Sequence, residues 1–338
     1  MTLYRAFHLR PLGRLHLGER GIGLEETAEF ARSDTIYGAL CFAWAETFGP
    51  VALRELATAL TERRPPFLVS SAFPRVGKVR LYPRPHLALP VAEEARRRLK
   101  DVRWVSEGIL WRWLKGEGLE SEAETVAPPL EHIWVTGEEA AALRAKPGPP
   151  WQRVYVARVT LDRTTSSSNL YYVGEVAFRE DCGLFVLATS EDEVAMGRLE
   201  EALRALGEMG LGGERSVGLG RFEVEEVARW EPPGADGERF LTLSLYLPTL
   251  AELEGGVLGE GARYRLVRRE GWIASPAWPG RRRKWVNMVQ EGSLLCGDPA
   301  GLYGQVADVT PDERSPGAHP VLRVGFAFAL PAPAARGG

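Results

Sequence analysis

Lysine is almost missing from these 338 residues: five are present against 37 arginines. Basic chemistry therefore falls to a planar, permanently charged group suited to bidentate phosphate or carboxylate contacts. Three widely separated cysteines, Cys41, Cys182 and Cys296, make neither a CxxC pair nor a disulfide framework, which fits a reducing cytoplasm. The five histidines (His8, His16, His86, His132, His319) stand alone, with no HxH or HExxH spacing, so neither a metal nor a cofactor is expected. No clustered Asp pair suggests two-metal hydrolysis, and no GxSxG or Cys-His arrangement suggests acyl transfer. Apolar runs stop well short of the roughly 20 residues that cross a bilayer. The opening MTLYRAFHLRPLGRLHLG lacks the apolar core of a signal peptide, so no membrane partner is expected.

What is present describes a packed chain. Apolar residues make up 45 % and charged residues 26 %, and the length suggests two domains. The net charge of −3 conceals an asymmetry. Residues 263–284 carry eight basic side chains (Arg263, Arg265, Arg268, Arg269, Arg281, Arg282, Arg283, Lys284) against Glu270 alone, +8 and −1, or +7 over 22 residues. Such a stretch attracts a polyanion whatever the sign of the whole chain.

The segment 3–9 (LYRAFHL) reads as a strand. Ser33 then reads as an N-cap, with Asp34 beside the positive helix end. Ile36, Leu40, Ala43, Trp44 and Phe48 follow at spacings of three and four, and Gly49-Pro50 stops the helix. Residues 65–150 hold short strand-like pieces and charged stretches, an insertion extending from the core. From 153, RVYVARVTLD, LYYVGEVAF and GLFVLAT read as successive strands. Ser190, with Glu193, caps a helix whose Met196, Leu199, Leu203 and Leu206 form a buried stripe. The strand RFEVEEV closes the set. In order this is β, α, (insertion), β, β, α, β, a ferredoxin-like, RRM-like plan over 1–230. Beyond a linker at 230–238, alternating apolar runs at 241–247 and 322–330 predict a second, degenerate and strand-rich ferredoxin-like domain over 235–338, ending in a disordered PAPAARGG. The fold class is α+β, two such domains in tandem.

The sharpest local signal is six glycines within 207–220: Gly207, Gly210, Gly212, Gly213, Gly218 and Gly220. Glycine permits positive φ and close backbone approach, so such a loop presents N–H groups to phosphates. Known nucleotide loops run strand–loop–helix; this one runs helix–loop–strand and fits neither GxxxxGK[ST] nor GxGxxG. An extended phosphate backbone is the better ligand, while a tight turn docking a helix onto a sheet stays open. The sheet also lacks the aromatic RNP1 pattern, so flat stacking of bases on it is not expected.

GLGGERSVGLGRFE, set between the second helix and the last strand, resembles the glycine-rich loop of the RAMP superfamily of CRISPR RNA-binding proteins. RSDTIYGALCFAW is similar to that family's Ser-Asp-Thr first helix, and LDRTTSSSNLYYVGEVAF to its Asp-Arg-Thr stretch. Near the end, NMVQEGSLL, GQVADVTP and HPVLRVGFAF resemble the C-terminal domain of one branch, the fourth subunits of type III-A Csm effector complexes. The resemblance implies a non-catalytic ribonucleoprotein subunit for antiviral defence. Such a subunit grips the repeat-derived 5′ tag of the CRISPR guide RNA and caps a backbone of neighbouring RAMP subunits. It also docks the large polymerase-type subunit.

Candidate RNA contacts follow. Gly212, Gly213, Arg215, Ser216 and Gly218 come from the loop; Arg281, Arg282, Arg283 and Lys284, flanked by Trp278 and Trp285, come from the basic run. That run is otherwise a solvated loop or a patch facing an acidic partner. Arg163 either reaches a phosphate or pairs with Asp162. Ser33, with Asp34 and Thr35, is a helix cap at a helix end that also suits anions. His16 lies where processing members of the superfamily place a general acid or base. That leaves a metal-independent repeat-RNA endoribonuclease as the alternative.

Overall fold

The computed structural model describes residues 2–18, 25–126, 132–144, 148–161, 168–234, 237–313 and 317–332. The Arg163 expectation and the tail from 333 lie outside them. The first strand β1 (Leu3–Pro11) leads to α1 (Ser33–Thr61) and then to β2 (Leu68–Val69), β3 (Phe73–Val76) and β4 (Val79–Pro83). Next come α2 (Glu93–Arg96), β5 (Trp104–Ser106), α3 (Glu107–Leu114), β6 (Ile133–Trp134) and α4 (Gly137–Arg144). They precede β7 (Trp151–Leu161), β8 (Ser168–Phe178), β9 (Cys182–Ser190), α5 (Glu193–Met209) and β10 (Phe222–Arg229). The last third holds β11 (Arg239–Thr242), α6 (Leu250–Glu254), β12 (Leu266–Arg269) and β13 (Val286–Val289). It ends with β14 (Leu294–Cys296), β15 (Gly304–Asp308), β16 (Leu322–Phe326) and β17 (Ala329–Ala332). The protein is mixed α+β and rich in strands.

The main sheet runs β10-β1-β9-β3-β4-β5-β6, with β2 also on β9. Successive side chains of a strand point to opposite faces, which sorts β1 and β9 cleanly. Phe7, Leu9, Leu184 and Val186 face the apolar stripes of α1 and α5 (Ile36, Leu40, Trp44, Met196, Leu199, Leu203). Ala6, Phe185 and Leu187 face the inserted Tyr82, Trp104, Ile109 and Trp113, together with Leu241, Leu243, Phe328 and Leu330 of the last third. With both faces covered, β9 is buried along nearly its whole length, as its apolar run requires.

Several local readings change. The stretches 153–161 and 170–178 do not join the main sheet. As β7 and β8 they pair with each other from Trp151↔Phe178 to Leu161↔Ser168, and one bridge, Leu15↔Val176, ties the base of this ribbon to the segment after β1. Arg158, Thr160 and Asn169 put polar groups on one face of the ribbon, and on the opposite face Tyr155, Val159, Leu161, Leu170 and Tyr172 stay exposed, whereas β3 is buried throughout and takes the place beside β9. The insertion supplies β4, β5 and β6 to the sheet edge. Gly49 does break α1, at φ 85°, but the chain resumes helix at once, through Thr61. The whole of α1 is apolar enough by length and composition to cross a bilayer. In this fold its Ile36, Leu40, Ala43 and Trp44 are buried in the core. Asp192, rather than Ser190, caps α5, accepting from the Val194 N–H. Ser33 is the first helical residue, not the cap.

The N-terminus of α1 is plugged into the last third of the chain. The Ser33 hydroxyl accepts from the Leu245 N–H at 2.9 Å. Asp34 is fully buried between Arg269, a bidentate partner at 3.0 Å through Nε and Nη2, and Arg323. Burial alone would raise the Asp34 carboxyl; the two guanidinium groups instead hold it well below the usual carboxylate range. Burial also lowers Arg323 to about 10. Nearby, Glu291 accepts from Arg32 and from Ser71 Oγ, each at 2.5 Å.

Two outcomes are expected. Asp34→Ala strands two buried cations and is expected to cost about 3–5 kcal/mol of stability; a loss below about 1 kcal/mol in denaturant melts contradicts the bridge. His8, buried on β1, accepts from Arg80 Nε at 3.0 Å and faces Glu226 at 3.1 Å. Burial, then Arg80 and Arg75, lower its pKa to about 4. The unfolded chain therefore binds a proton first, and stability is expected to fall as pH drops from 6.5 towards 4. His8→Gln is expected to flatten the pH dependence of the melting temperature across that window; an unchanged slope sinks the assignment.

Candidate nucleic-acid interface

The glycine-rich segment connects α5 to β10 and is split into an inward and an outward half. Inward, the Leu211 N–H donates to the Gly220 carbonyl, Gly220 N–H to that of Arg14, and Gly213 N–H to that of His16. A Cβ on Gly212 would stand 2.3 Å from the His16 carbonyl oxygen, and one on Gly213 would stand 2.8 Å from the His16 ring. The close approach that these glycines permit is thus to the protein's own backbone. His16 is 5 % exposed, and its Nδ1 lies 2.7 Å from the Gly174 carbonyl at the root of β8.

Outward, the turn Arg215–Val217 carries the tip. Among the described residues no acceptor engages the N–H groups of Glu214, Arg215 and Ser216, and Ser216 and Gly218 are exposed. The Arg215 guanidinium lies 4.9 Å from the centre of the Phe42 ring, which is 41 % exposed on α1. Donors without a described acceptor, beside an arginine held on an aromatic face, suit an extended anion.

The basic run forms a second surface. β12 and β13 pair as a ribbon, prolonged by the bridge Trp272↔Arg282. Trp272 and Trp285 are each 56 % exposed; Arg282 lies over the first at 5.3 Å and Arg268 over the second at 4.7 Å. The four cations expected to act together are in different situations. Arg281 pairs with Glu313 at 3.0 Å and Lys284 with Asp312 at 2.5 Å. Arg283 turns inward, where burial lowers its pKa beside Asp34. Arg282 shares the outer face with Trp272. Trp278, expected to flank them as a stacking surface, is fully buried, its Nε1 donating to the His319 carbonyl. Trp272 was missed, and Arg268 was counted only as part of the basic run, although the alternation of a strand through 268, 270 and 272 puts both on one face. Ser33 sits inside the protein, its hydroxyl already engaged. Among the described residues no group of three His, Cys, Asp or Glu side chains is arranged to hold a metal.

Residues 235–332 match the family model of the CRISPR Csm4 C-terminal domain. The chain is similar to the CRISPR system Cms protein Csm4 of Thermococcus onnurineus, 33 % identical over 284 residues, covering 81 % of this chain and 84 % of that one. It is also similar to the Csm4 protein of Mycobacterium tuberculosis, 29 % identical over 324 residues, covering 94 % and 93 %. Among solved structures, it shares its fold with a chain of a Csm3–Csm4 subcomplex of the type III-A interference complex (TM-score 0.66, 15 % identity, 98 % and 99 % covered). A chain of a Csm1–Csm4 cassette in complex with pppApA has the same fold (TM-score 0.60, 23 % identity, both chains fully covered). A third of the residues identical over four fifths of both chains, on a shared fold, places this protein in the Csm4 family of type III CRISPR effector subunits.

Proposed function

We propose that this subunit holds the 5′ tag of the guide RNA without cutting it and caps the backbone of a type III-A complex. Its solved relatives, crystallised with Csm1 or with Csm3, support pairing of this chain with the large polymerase-type subunit and with a neighbouring RAMP subunit. The observation that carries the reading is the outward tip Glu214–Gly218. There, unengaged amides and Arg215 stand side by side on a base that the Gly212, Gly213 and His16 contacts make rigid. A single strand is gripped through its phosphates and its base faces. In this reading Arg215, Ser216 and Gly218 meet phosphates. The Arg–Trp ribbon around Arg281, Arg282 and Lys284 continues the cationic path, and Trp272 and Trp285 offer it stacking faces. His16, Ser33, Gly212, Gly213 and Arg283 shape the site from behind.

The sheet order β10-β1-β9-β3, with β1 between β9 and β10, supports a ferredoxin-like unit over 1–230 that carries the insertion on its far edge. We read 235–338 as a degenerate second copy joined to it through a shared core. The nuclease alternative is not favoured. His16 is buried, its Nδ1 is engaged by Gly174, and its ring lies under Gly213, which leaves it poorly placed to act as a general acid or base on a bound strand.

Arg215→Ala combined with Arg282→Ala is expected to weaken binding of a tag-sequence single strand. It should reduce the salt slope by about 0.7 for each lost phosphate contact. Unchanged affinity and slope would count against both surfaces. Labelled repeat RNA is expected to stay intact in EDTA; cleavage that disappears in His16→Ala would reinstate the nuclease.

A further inference from the structure

Glu214 is out of place by local rules. Among the described residues, Arg63 and Glu214 alone combine a side chain with positive φ, both at 57°. Glycine takes that conformation freely, and it occupies the two positions before Glu214. A glutamate kept there needs a reason, and the side chain supplies one. Its Oε2 accepts from Arg158 Nη1 at 2.7 Å. Arg158 is itself fixed, because Nη2 donates at 2.8 Å to Oε1 of Glu175, a buried acid that Arg14 also reaches at 3.3 Å. Arg158 belongs to β7 and Glu175 to β8, so the ribbon and the neck of the loop are one charged unit.

We infer that Arg158 is a positioning residue for the RNA-holding loop: by pinning Glu214 in the left-handed conformation it turns the amides of residues 214–216 outward together and aims Arg215. The inference rests on the reading of that loop as the tag-binding element. It makes Glu214 valuable despite its negative charge beside a polyanion, since the charge is spent on Arg158.

The test compares Glu214→Gly, Arg215→Ala and the parent full-length chain for melting temperature and for affinity toward a tag-sequence RNA strand. Glycine relieves the strained backbone, so Glu214→Gly is expected to melt at or above the parent temperature. It should nevertheless bind RNA on the order of tenfold more weakly, because the freed residue must be ordered on binding. Full affinity in Glu214→Gly together with weakened binding in Arg215→Ala overturns the clamp and leaves the loop reading standing. Full affinity in both variants overturns the loop reading, and the clamp falls with it. A drop in melting temperature alongside the drop in affinity assigns Glu214 to folding and also overturns the inference. Arg158→Lys, which keeps the charge but loses the two-armed geometry, is expected to recover only part of the affinity that Arg158→Gln loses.

Discussion

The contact on which the proposed RNA-holding side depends is the seating of two glycines on His16. The Gly213 amide donates to the His16 carbonyl, and no room exists for a side chain at Gly212 or Gly213. His16 is in turn fixed against the root of the β7–β8 ribbon through Gly174. A loop with six glycines would otherwise lose much entropy on ordering. Seated this way, its inward half is part of the folded core, and only the short tip is left to meet a ligand. The arrangement favours binding because the donors are arranged before the ligand arrives.

The second constraint is the burial of the first turn of α1. Asp34 lies between Arg269 and Arg323, which come from the strands β12 and β16 of the last third. Buried ion pairs contribute little net stability, but losing one partner is costly, so they enforce one arrangement over others. Here the enforced arrangement fixes the Arg–Trp ribbon relative to the helix that carries Phe42 and, over it, Arg215. Two surfaces far apart in sequence thus keep a constant geometry.

Much of this was legible in the residues. The apolar spacing of α1 and α5, the apolar runs of β1 and β9, the alternation in β10 and the glycine cluster follow from local periodicity and chain chemistry, which sequence reports directly. The partner of a strand is not local information. Val154, Val156 and Val159 give β7 the look of a sheet strand, yet tertiary competition gives the place beside β9 to the short Phe73–Val76. For the same reason Ser33 was legible as a helix start but not as a buried acceptor for Leu245. In the basic run, composition revealed the charge; only folding sorts Arg283 inward, Arg281 and Lys284 onto acids, and Arg282 onto Trp272. The Arg158–Glu214–Glu175 unit joins residues 56 and 17 positions apart, and no motif announced it.

Residue-resolved hydrogen exchange with and without a tag-sequence RNA strand addresses the central claim most directly. The amides of Gly213 and Gly220, already bonded inside the protein, are predicted to exchange slowly in both states, while those of Glu214, Arg215 and Ser216 exchange fast in the free chain and slow markedly on RNA binding. Saturating RNA that leaves exchange at the tip unchanged would contradict the account.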